Sequence, residues 1–69
     1  MTKRYEVESI YPDGERRKGF DTLQKAVASF TRMCKMQPKY EHHVHDLATS
    51  TTIRTHLPPR QATDGDLGI

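Results

Sequence analysis

The chain has 69 residues, 33% of them hydrophobic and 29% charged, with no Trp and two Phe. That length allows one domain with a small core and leaves little room for a deep catalytic cleft. The formal net charge of +2 is too small to name a partner, and the single cysteine, Cys34, excludes an internal disulfide and a cysteine-built zinc site.

The charge is unevenly spread. Residues 1–40 carry nine Lys/Arg against five Asp/Glu, and residues 41–69 carry two against four, which hints at one basic face. No apolar run is long enough for a secretory leader or a membrane span. A soluble protein of the cytoplasm, where a lone thiol stays reduced, is expected.

The first element, residues 4–11, reads as a strand. Tyr5, Val7, Ser9 and Tyr11 alternate with Arg4, Glu6, Glu8 and Ile10, and the β-branched and aromatic residues suit a pleated surface. Pro12-Asp13-Gly14-Glu15 is a turn signal, because proline presets its own φ and glycine accepts φ > 0. Arg16 to Phe20 returns as a short polar strand, closing a β-hairpin.

A helix is expected to start at Asp21, whose carboxylate can accept a first-turn N–H while Gln24 bonds back. Leu23, Ala26, Val27, Phe30, Met33 and Cys34 form one apolar stripe, with Lys25, Ala28, Ser29, Arg32, Lys35 and Met36 opposite. Pro38 ends this helix of about four turns. Residues 40–47 read as a third strand, Ala48-Thr49-Ser50 as a turn, and Thr51 to Leu57 as a fourth strand. A register placing Val44 beside Ile53 would set the two best core residues of this hairpin on one face.

Pro58-Pro59 ends the pattern. The chain therefore predicts one α+β domain over residues 3–57, with residues 58–69 a disordered tail. Its fold is ββαββ, one amphipathic helix packed across a four-stranded antiparallel sheet. The expected core is Tyr5, Val7, Leu23, Val27, Phe30, Cys34, Val44 and Ile53, and the sheet's other face is left open to water or a partner.

The string Tyr-Glu-Val-Glu-Ser-Ile-Tyr-Pro-Asp-Gly, followed by Gly-Phe-Asp-Thr-Leu-Gln-Lys-Ala-Val-Ala and later Asp46-Leu47-Ala48-Thr49, resembles a hairpin–helix–hairpin pattern of small uncharacterised bacterial proteins. The resemblance spans about residues 5–55. It implies the ββαββ fold and a bacterial source, and it brings no functional residue with it.

Three surfaces bear on function. His43, His45 and His56 share a face in the preferred register, with Glu41 nearby, and are the candidate metal ligands; their spacing matches no zinc module, and a solvated strand face is the plainer explanation. Such crowded imidazoles would also repel when charged and loosen the second hairpin at acid pH. Arg16, Arg17 and Lys18 on the first hairpin, with Lys25, Arg32 and Lys35 on the helix, offer phosphate contacts to a nucleic acid. Glu6, Glu8, Asp13 and Glu15 are placed to pair with these cations across the strands, and no nucleic-acid-binding motif accompanies them. Tyr5, Tyr11 and Tyr40 suit a contact surface, Tyr11 best of the three.

Cys34 lies in the apolar stripe and reads as an inert buried thiol. No phosphate loop, nucleophile elbow or apolar carboxylate pair appears, so neither an enzyme nor a cofactor is expected. The leading expectation is a small accessory protein that contacts a protein partner, or a second copy of itself, through the open sheet face or a sheet edge. Nucleic-acid binding and a histidine metal site are the alternatives.

Overall fold

The structure, a computed structural model, describes residues 3–58. The tail expected over 58–69 lies, from residue 59 on, outside the described residues. The elements are β1 (Tyr5–Tyr11), β2 (Gly14–Phe20), α1 (Leu23–Met36), β3 (Glu41–Asp46) and β4 (Thr51–His56). The strands form one antiparallel sheet in the order β2-β1-β3-β4, so the ββαββ fold is as read from the sequence. No helix among the described residues is long and apolar enough to cross a membrane.

The first hairpin turns on two residues, Pro12-Asp13, because Tyr11 pairs with Gly14. Strand β2 thus begins two residues before the expected Arg16. Gly14 has φ +145° and open space where a side chain would stand, so its backbone conformation is what calls for glycine there. The helix runs from β2 at one edge to β3, which pairs with β1 rather than with β2. That crossover puts the most apolar strand segments, around Val7 and Val44, at the centre of the sheet as direct partners.

Thr22, not Asp21, is the N-cap. Its backbone is extended (φ −128°, ψ 153°) and its Oγ1 accepts the Lys25 N–H at 3.2 Å. Asp21 instead holds Lys25 Nζ at 3.3 Å, one turn on. At the other end the Gln37 N–H donates to the Met33 carbonyl, and Pro38 follows.

The core is smaller than expected. Val7, Ala26 and Val44 are buried, with Tyr5, Phe20 and Phe30 packed against them. The helix meets the sheet along Ala26 and Phe30, where the small alanine permits close approach to the paired valines. Leu23, in the first helical turn, stays 37% exposed, and Val27, Cys34 and Ile53 are half-buried.

The buried polar groups of the inward face are all partnered. His42 is completely buried. Its Nε2 lies 2.8 Å from the Gln37 carbonyl, which can only accept, so Nε2 carries the hydrogen. The Ser9 hydroxyl, also buried, then donates to Nδ1 at 2.7 Å. Arg4 grips Asp46 with Nε and Nη2, both at 3.0 Å, joining the start of β1 to the end of β3. Asp46 Oδ1 also takes the Ala48 N–H, which anchors the turn into β4. No buried side-chain donor or acceptor among the described residues lacks a partner.

The second hairpin corrects the expected register. Val44 faces Arg54, and the next pair is His45 with Thr52, so Ile53 is an extra residue in a β-bulge. This one-residue shift exchanges the faces of the β4 residues beyond the bulge.

A candidate nucleic-acid interface

The bulge separates the expected metal ligands. His56 pairs with His42 on the helix side and donates from Nε2 to the Pro38 carbonyl at 3.0 Å. His43 and His45 occupy the opposite face, their rings stacked at 5.7 Å. His45 Nε2 donates to Glu8 at 2.7 Å and His43 Nε2 to Glu41, while Thr52 and Thr55 hydroxyls stand at the two Nδ1 atoms. Among the described residues, no three His, Cys, Asp or Glu side chains converge as metal ligands. Each of these two rings also faces a carboxylate, Glu41 or Glu8.

Arg17 belongs to the same open face. It lies within 4.0 Å of Glu6, 3.3 Å of Glu8 and salt-bridging distance of Glu15. The bond from His45 and the charge of Arg17 hold the Glu8 carboxyl below its ordinary value, against the opposing effect of its burial. The open face is therefore a lattice of acids, histidines and one arginine that match one another.

The other cations go elsewhere. On β2 the alternation sends Arg16, Lys18 and Phe20 to the helix side, opposite Ser9, Val7 and Tyr5. Since α1 packs mainly over the central β1 and β3, a trough is left between the helix and edge strand β2. Three connected hollows form it. One of about 380 Å³ is lined by Lys3, Lys18, Phe20, Asp21 and Lys25. The next, about 300 Å³, adds Ala28, Ser29 and Arg32. A third, about 280 Å³, reaches Arg16, Met33 and Gln37.

The trough thus gathers Arg16, Lys18, Lys25 and Arg32 from the predicted set and adds Lys3. Arg17 borders the third hollow, but its guanidinium is turned to the far face onto Glu6, Glu8 and Glu15; Lys35, exposed in the last helical turn, lines none of these hollows. Among the described residues only Lys25 of the trough cations makes an ion pair, with Asp21. Lys18 Nζ sits 5.6 Å from the centre of the Phe20 ring, which puts an aromatic face beside the charge.

Sequence reasoning missed Phe20 and Ser29, and set Lys3 near these cations without including it in the candidate set. Lys3, which precedes β1, lies against Gly19 and borders one of the hollows, and the trough itself depends on strand order, which no local pattern specifies.

Tyr11, the preferred contact tyrosine, is not free. It meets Tyr40 edge-on at 4.8 Å, donates its hydroxyl to Gln37 Oε1, and has the Arg16 guanidinium 5.7 Å from its ring centre.

No protein-family model, curated protein or solved structure matches this chain.

Proposed function

We propose that this protein is a binding module that holds nucleic acid by its phosphates in the trough between α1 and β2. The observation that supports the reading is the convergence there of Lys3, Arg16, Lys18, Lys25 and Arg32, with a carboxylate partner only for Lys25 among the described residues. Unmatched cations set in a concave surface attract a polyanion and release its counterions on contact. Arg16 and Lys18 stand about 7 Å apart along β2, a spacing that lets successive phosphates of an extended strand engage both.

The open sheet face supports a protein partner less well, because its polar side chains are already hydrogen-bonded to one another. The sheet edges add little: β2 is rich in charge and β4 carries a bulge, both of which oppose strand addition.

Fluorescence anisotropy with short labelled oligonucleotides at low and moderate salt tests the reading. Binding that weakens with salt, is lost in Lys18→Glu and Arg32→Glu, and persists in Arg17→Glu is expected. No binding at low salt, or equal loss in Arg17→Glu, would overturn it.

A further inference from the structure

The trough ends in a fourth and larger hollow, about 470 Å³, between the first turn and the C-terminal end of α1. Tyr11, Pro12, Asp13, Arg16, Gln37 and Tyr40 line it. It shares Tyr11, Arg16 and Gln37 with the neighbouring hollow of the trough, so a chain lying along the cations runs into it.

Its chemistry differs from that of the trough. The trough offers mainly positive charge, whereas this cleft combines two aromatic rings, a guanidinium, a carboxamide and a carboxylate. The Tyr11 and Tyr40 rings meet edge-to-face at 69° rather than stacked, and the Arg16 guanidinium already stands beside the Tyr11 ring, so Tyr40 is the ring a flat base would lie against. Gln37 has its Oε1 taken by the Tyr11 hydroxyl, which turns its amide N–H groups into the free part of that side chain. Asp13 can only accept, and among the described residues it has no cationic partner; Arg16 can only donate. Aromatic surface for a flat ring, with donors and an acceptor for its edge, is what an unstacked nucleobase requires. The volume falls within the range of about 300–1,000 Å³ common for small-ligand sites.

We infer that this cleft receives a nucleobase, and that the nucleic acid in the trough is therefore taken as a single strand. The inference rests on the reading of the trough as a phosphate-binding surface. A duplex can lay phosphates on the cations, but its bases are paired and stacked and reach a side cleft only by flipping out. In a single strand the base next to the Arg16-bound phosphate is free to enter.

Four probes of equal length test this on the wild-type protein: a DNA single strand, the RNA of the same sequence, a DNA strand with abasic positions, and the DNA duplex. The intact single strands are expected to bind about tenfold more tightly than the abasic strand and the duplex, the increment of about one stacked base. The DNA and RNA arms report whether the sugar is also read. Tyr40→Leu, with its fold checked by its amide spectrum, is expected to remove most of that preference and to leave duplex affinity unchanged.

As a second measurement, free nucleoside monophosphates should shift amide resonances at Asp13, Gln37 and Tyr40. Equal, salt-dependent binding of all four probes would overturn the cleft while leaving the trough intact. Absence of binding to every probe would overturn both.

Discussion

At the scale of single residues, the unusual feature is how much of the small interior is polar. His42 is fully buried between the Gln37 carbonyl and the Ser9 hydroxyl, and each ring nitrogen has one partner. Such a group is harmless while matched and costly once a partner is removed, because nothing else can reach it. Ser9→Ala strands His42 Nδ1, and a loss of about 1–3 kcal/mol is expected, read by chemical denaturation. A change within experimental error would mean that the ring repacks. Cys34 is the contrasting case. Its half-buried thiol is pushed above its ordinary value by desolvation, and no cation lowers it again. Slow reaction with a disulfide reagent at neutral pH is expected, rising to the free-thiol rate on unfolding. A native rate equal to the unfolded one would show the thiol to be open to solvent.

At the scale of elements, the helix start is decided by geometry that the sequence offers twice. Asp21 and Thr22 are both good caps by type, but only Thr22 bonds a first-turn N–H, while Asp21 reaches across a turn to Lys25. Thr22→Ala should therefore cost about 1 kcal/mol, and Asp21→Ala less, by thermal melts of the two variants. The reverse order would restore Asp21 as the cap.

The same distinction explains what was legible in the sequence. Hairpins, helix and turn positions follow from proline, glycine and apolar period, which act within a few residues. The bulge at Ile53 carries no local signal: Val44 beside Ile53 looks better than Val44 beside Arg54 until the whole sheet is assembled. That single residue moved His56 off the face of His43 and His45 and so dissolved the metal site. The pairing of Arg17 with Glu6, Glu8 and Glu15 across the first hairpin was legible from the strand alternation, but the trough above Lys18 required the strand order.

Element-to-element ties also set the acid stability. Asp46 is held below its ordinary value first by its hydrogen bonds from Arg4, Asp21 by Lys25, and Glu8 by His45. For each, the folded form binds its proton less readily than the unfolded chain. Their stabilisation is thus complete above the ordinary carboxylate values and is lost as pH falls through the lowered ones. These three carboxylates should bring the melting temperature down as pH falls below about 5. Asp46→Asn should lower the neutral-pH melting temperature and flatten the acid decline. An unchanged acid limb in that variant would place the sensitive group elsewhere.

At the scale of the molecule, one sheet separates two kinds of charged surface. On the open side, Arg17 is spread over Glu6, Glu8 and Glu15, and the histidines are matched by Glu8 and Glu41. On the helix side, the trough holds cations with a single ion pair among the described residues. Net charge hides this division, because the matched acids cancel charge that the trough never shares. The slope of affinity against salt sees through the cancellation, since it counts the cations that replace counterions and ignores those already paired. With three to five phosphates contacted, the logarithm of affinity for a single strand should fall against the logarithm of salt with a slope of about −2 to −4. Lys18→Gln and Arg32→Gln should each make that slope shallower by about 1, and Arg17→Gln should leave it unchanged. If all three variants flattened it alike, the protein would be acting through its overall field and the trough would have no special part. If Arg17→Gln alone changed it, the strand would lie on the open face, and the matched lattice there would have to break to receive it.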